Sequence, residues 1–181
     1  MESLLDRPLT IVSLPAETEA YQALLARAYR KTGGVPPELV VRHILSVTRG
    51  GDWPVQRDAL EALLRRFAFG RTDRLQIVAR PPRGQLLGLY ATRRRGSSAR
   101  PYRTLLRSVE PIHGSCDCPD FLRSSLGLCK HLLTVLEVVA SRPRAFEKAG
   151  RESILNASPL CGDPIRPLTG PGDGRAQVRW I

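Results

Sequence analysis

Three of the four cysteines and one of the three histidines fall within sixteen positions, as Cys116-Asp117-Cys118, ten intervening residues, then Cys129-Lys130-His131. Zinc takes thiolate and imidazole donors four at a time in a tetrahedron. Two ligand pairs separated by a span long enough to reverse the backbone fit such a site. The expected chemistry is a Cys3His centre holding one zinc ion through Cys116, Cys118, Cys129 and His131. Four protein ligands leave no open position for water, so the site predicts a binding or structural module and not an enzyme. Lys130, between two ligands, would partly offset the net negative charge of three thiolates.

Other chemistry for these residues is weaker. A Cys116–Cys118 disulfide would close a very small, strained ring. The opening Met1-Glu-Ser-Leu-Leu-Asp has neither a basic n-region nor a continuous apolar run, which predicts a cytoplasmic, reducing address. A nucleophilic Cys129 activated by His131 needs an orienting third group and an oxyanion site, and the local sequence suggests neither. Cys161, in a Pro/Gly-rich stretch, reads as a free thiol. His113, three residues before Cys116, reads as a loop histidine, and His43, among Val40, Val41 and Ile44, as a structural one.

The ligand spacing constrains the elements that must carry it. On an extended segment Cys116 and Cys118 point to the same side, and Pro119 stops the strand. Cys129-Lys130-His131 precedes the apolar run Leu132, Leu133, Val135, Leu136, Val138, Val139, which reads as a helix with a buried face. Positions two apart in a regular helix lie about 200° apart around its axis, so Cys129 belongs in the entering turn and His131 in the first helical turn. Gly127 eases that turn. The predicted unit is a strand or hairpin, a metal knuckle, and a helix whose start supplies the remaining ligands.

These residues resemble the SWIM zinc finger, whose pattern is Cys-x-Cys, a variable spacer, then Cys-x-His. The likeness extends past the ligands to Cys116-Asp117-Cys118-Pro119-Asp120 and to Cys129-Lys130-His131-Leu132, and covers roughly Tyr102 to Ala140. In that family the finger binds DNA or protein and occurs beside bacterial Swi/Snf-type ATPases, in transposase-like proteins and in recombination accessory proteins. The resemblance therefore implies a nucleic-acid partner, DNA above all, and a Swi/Snf-type ATPase or other DNA-processing protein as associate. No ATPase or nuclease motif accompanies it here.

Around the finger, Ala16 to Lys31 reads as an amphipathic helix starting at Ser13 or Pro15, with Tyr21, Leu24, Leu25 and Ala28 on one face. A second helix opens at Pro36-Pro37 and closes at Gly50-Gly51. A third is capped by Asp52, carries Val55, Leu60, Leu63, Leu64 and Phe67, and ends before Gly70. Leu75 to Ala79 and Leu86 to Thr92 read as strands around the turn Pro81-Pro82-Arg83-Gly84, with a third strand from about Tyr102 to Val109. Residues 93–100 read as a mobile cationic loop. After Ser141-Arg142-Pro143 the helical pattern fades. Asn156 to Gly174 reads as a linker, and Arg175 to Ile181 as a strand-like tail, which either packs Trp180 onto the domain or leads into a larger split architecture. The expected class is α+β: a helical region over 1–70, a basic hairpin with a zinc-bound ββα unit over 71–145, and a linker and tail over 146–181.

The charge is as uneven as the cysteines. From Arg71 to Arg107 there are ten arginines and one acid, Asp73, so +9 of the net +11 lies in one block just before the ligands. A merely solvated face mixes signs, and this one does not. No apolar stretch has membrane-spanning length. The leading expectation is a module that binds nucleic acid without sequence readout, through phosphate contacts from Arg93, Arg94, Arg95, Arg100 and Arg103. The alternative is a protein-interaction adaptor docking a partner through the helical region or Trp180, with the basic block serving solubility.

Overall fold

Each helix in the front of the chain is set by a start signal and an apolar stripe. The structure, a computed structural model, describes residues 19–151. The helix start at Ser13 or Pro15, the linker, Cys161 and Trp180 lie outside them. Helix α1 spans Glu19–Ala28, α2 Pro37–Val47 and α3 Trp53–Thr72. Asp52 caps α3: its Oδ1 accepts a hydrogen bond from the Val55 N–H at 3.2 Å, satisfying one of the helix's orphan donors. Leu60, Leu63, Leu64 and Phe67 form its buried stripe, and it runs past Gly70 because Gly70 is itself buried against α5, introduced below.

An antiparallel sheet follows, β1 Leu75–Ala79, β2 Gly88–Arg94, β3 Tyr102–Val109 and β4 Ile112–Cys116, in the order β1-β2-β3-β4. The β1–β2 connection turns through Pro81 and Pro82, where the Gln85 N–H donates to the Pro82 carbonyl at 3.0 Å. Strand β2 lies two residues later than its sequence suggests. Arg93 and Arg94 are strand residues, paired with Gln76 and Leu75, because β1 offers them ladder partners. The cationic loop therefore begins at Arg95. It is tied by hydrogen bonds from the Arg95 N–H to the Arg74 carbonyl at 3.0 Å and from the Ser97 N–H to the Arg94 carbonyl at 3.1 Å.

Three helices complete the described chain: α4 Pro119–Arg123, α5 Lys130–Ala140 and α6 Pro143–Arg151. The sequence pattern missed α6. Its apolar content is little more than Phe146 and Ala149, and its helicity draws on packing against β3 and α5. It begins at Pro143, where the sequence pattern of helix fades, and runs across the expected boundary at residue 145.

Helix α5 is the central element. It packs against α3 on one side and β3 and β4 on the other, so the buried side chains run as one cluster from Leu24 and Ile44 through Phe67 to Leu132, Leu136 and Leu106. Close approach is enforced at Gly114 of β4, where a Cβ would sit 2.5 Å from the Leu105 carbonyl oxygen and 2.9 Å from Leu132 Cδ1. Ion pairs link the same layers: Arg71 to Glu137 at 2.6 Å, and Lys130 to Asp73, the residue that ends α3. No helix among the described residues is long and apolar enough to cross a membrane.

Candidate metal centre and basic surface

Cys116 is the last residue of β4 and lies opposite Thr104 of β3, whose hydroxyl is 3.5 Å from the Cys116 sulfur. The ladder reaches one residue further, with the Asp117 N–H donating to the Arg103 carbonyl at 3.1 Å. The Asp117 carboxylate then turns back to β3 and accepts from the Arg103 N–H at 2.8 Å and from Arg103 Nε at 3.1 Å. That clamp fixes the backbone between the first two ligands. Cys118, still extended, is the N-cap of α4, and its sulfur accepts from the Phe121 N–H at 3.3 Å. Cys129 is the N-cap of α5 with His131 in its first turn, the placement that a two-residue spacing at a helix start requires.

The spacer between the pairs is anchored from outside the finger. Gly127 turns it at a φ of +65°, and His43 of α2 donates from Nε2 to the Leu126 carbonyl at 2.7 Å. Burial holds the His43 imidazole below its usual value, with the hydrogen bond to Leu126 acting in opposition and His113 adding to the depression. His43 is thus structural, and what it supports is the ligand loop. His113 lies on β4 outside the ligand cluster.

The four donor atoms of Cys116, Cys118, Cys129 and His131 all lie within 4.8 Å of one another, and all four residues are buried. Ligands of one tetrahedral zinc, at about 2.3 Å for sulfur and about 2.0 Å for nitrogen, sit somewhat under that distance apart. His131 Nδ1 is buried with no hydrogen-bond partner, an orphaned polar atom in a thiol-rich pocket. The thiols compete for negative charge. Its hydrogen bond with Cys118, with burial adding, pushes the Cys116 thiol up to about 12, and Cys129 is raised by its contacts with both other cysteines. Cys118 is held well below a normal thiol by the hydrogen bonds from Cys116 and Cys129. A divalent cation removes that competition, since it favours the thiolate form of every ligand at once. The residues fit the ion. Tyr102 covers the site, its ring centroid 4.7 Å from that of His131.

The arginine block divides. Arg71 and Arg103 are committed to Glu137 and Asp117. Arg93 is half-buried on β2, with its Nε buried and without a hydrogen-bond partner. Arg94, Arg95 and Arg100 are exposed around the β2–β3 turn and form no ion pair among the described residues. Of the five arginines expected to contact phosphate, the structure gathers these three at one end of the sheet and turns Arg103 to the metal knuckle. The Arg103–Asp117 clamp escaped the sequence reading. Its only signal was a lone acid between two ligands, fourteen residues after an arginine on a predicted strand.

The SWIM zinc finger family matches residues 106–140, which hold the second half of β3, β4, the knuckle and α5. No curated protein and no solved structure matches the chain. The matched finger and the Cys116, Cys118, Cys129 and His131 cluster fit a single bound zinc, and the segment is a zinc-binding module.

Proposed function

We propose that the protein binds nucleic acid, DNA in the first instance, without sequence readout, as a non-enzymatic accessory to a DNA-processing machine such as a Swi/Snf-type ATPase. The observation that carries the reading is the group Arg94, Arg95 and Arg100, exposed and forming no ion pair among the described residues, on strands that lead into the finger. Guanidinium groups in that state are suited to phosphate, which they meet bidentately and without regard to base. Zinc fixes the knuckle, the Asp117–Arg103 clamp ties the knuckle to β3, and the sheet presents the cations. Four protein ligands close the metal, which supports a binding role over a catalytic one.

The test is a DNA titration at about 50 and about 200 mM salt with the zinc-loaded chain. Three phosphate contacts predict a slope of log affinity against log salt near −3, flattened in Arg94→Glu/Arg95→Glu/Arg100→Glu, with affinity for unrelated sequences falling equally. Arg93 and Arg103 are left out of the triple variant because their side chains are built into the fold. If that variant binds as tightly as the parent, the adaptor reading leads. One feature favours it: a cleft of about 660 Å³ lined by Leu39, Ala140, Pro143 and Phe146, with Glu38, Glu147 and Arg151 beside the Arg42–Glu110 pair, suited to an apolar partner segment.

A further inference from the structure

A second cleft, of about 420 Å³, lies between α3 and the start of the finger helix. On α3 it is lined by Ala62, Arg65, Arg66 and Phe69, whose spacing of three, one and three puts them on a single stripe of the helix. Asp120 of α4 and Lys130 of α5 face them. Phe69 is the anomaly. Its side chain is 57 % exposed, while Phe67, two residues earlier, is in the core. Arg65 is exposed and forms no ion pair among the described residues. Arg66 is held in place, Nε 3.5 Å from Asp120 and Nη1 3.4 Å from the Ala62 carbonyl. Lys130 pairs with Asp73, whose carboxylate is also within the field of Arg94. The cleft is therefore joined through Lys130 and Asp73 to the exposed arginines at the sheet's end.

We propose that this cleft seats one unpaired base of a single nucleic-acid strand. Phe69 is the stacking surface and the exposed Arg65 holds a flanking phosphate, while Lys130 and Arg66, held by Asp73 and Asp120, form the walls of the cleft. The proposal rests on the nucleic-acid reading above and narrows it. An aromatic ring among cations is the combination that tracks a single strand, because every base has a face to stack and every linkage a charge to neutralise. In a duplex the base faces are already stacked on one another and out of reach of the ring, so the ring has no face to stack on there. Duplex binding then depends on the exposed arginines alone, and single-strand binding on those arginines plus Phe69.

The experiment measures affinity of the full zinc-loaded chain for an oligothymidine of about a dozen nucleotides and for a duplex of equal length, at one salt concentration. The variants are Phe69→Ala, Phe69→Leu and Phe69→Tyr. The expected result is preference for the single strand, a loss of about tenfold for that strand alone in the Ala and Leu variants, and near-parent binding in the Tyr variant. Unchanged zinc content in all three shows that the fold is intact. Equal weakening toward both probes, or no weakening, overturns the cleft proposal while phosphate binding stands. Binding of neither probe by the parent overturns both.

Discussion

The metal knuckle and the exposed end of the sheet use the same residue type in opposite ways. At the knuckle, Arg103 is spent on Asp117, the Cys116 sulfur lies against Thr104 of β3, the Cys118 sulfur accepts from the Phe121 N–H, and Lys130 beside Cys129 is held by Asp73. A short chain away, Arg94, Arg95 and Arg100 form no ion pair among the described residues, and the acid within the field of Arg94, Asp73, is already held by Lys130. The first arrangement fixes a geometry and the second leaves charge available to a ligand. Net charge alone hides this difference. What distinguishes a structural arginine from a candidate contact is burial, as at Arg93, or a partner acid on a facing element, as at Arg71 and Arg103.

The largest expected effect tests how far the knuckle's rigidity reaches. Structural zinc in small fingers supplies apparent folding free energy on the order of 10 kcal/mol, and α5 shares its buried face with both α3 and the sheet. Chelation should therefore melt the helical front with the finger, as one transition in circular dichroism. A division at residue 70 into separable units predicts instead that the helical signal from α1 to α3 survives. Two transitions would restore that division.

The clamp comes next. Asp117→Ala removes the acceptor for two Arg103 donors, one of them charged, and should cost about 1–3 kcal/mol in thermal or denaturant unfolding. As a support of the ligand backbone it should also weaken zinc by about 10–100-fold in competition with a chelator. Should Asp117→Ala hold zinc as the parent does, the contrast between fixed and available arginines loses its physical basis.

The smallest effect concerns His43. Burial lowers its pKa, so its neutral form is the native one, and the stability it gives is present above about pH 6.5 and lost as pH falls through the folded value. His43→Phe should cost about 1 kcal/mol near neutral pH, for the lost bond to Leu126. The gap from the parent should narrow toward about pH 5.5, because the parent then pays for charging the imidazole. A gap that stays constant across that range would place the effect of His43 in packing alone.

The features legible in the sequence are those encoded by near neighbours. Ligand spacing located the centre, and Asp52 with Pro54 marked the start of α3. The Leu132–Val139 run marked the helix that carries two ligands. The features that were not legible depend on partners distant in sequence. Arg93 and Arg94 read as loop until β1 supplies their ladder, and α6 lacks an apolar stripe strong enough to mark it without β3 and α5. The cleft at Phe69 needs Lys130, sixty-one positions away, to form its other wall. A periodic apolar reading places Phe69 and Phe67 alike near a helix end, and only tertiary packing separates the buried ring from the exposed one.

Zinc stoichiometry on three purified chains tests the central claim most directly. The parent and the Arg94→Glu/Arg95→Glu/Arg100→Glu variant should each hold one tightly bound zinc, and Cys118→Ser none, because Cys118 is one of four ligands and the exposed arginines are none of them. One tightly bound zinc retained in Cys118→Ser would remove Cys118 from the ligand set and contradict the Cys3His centre.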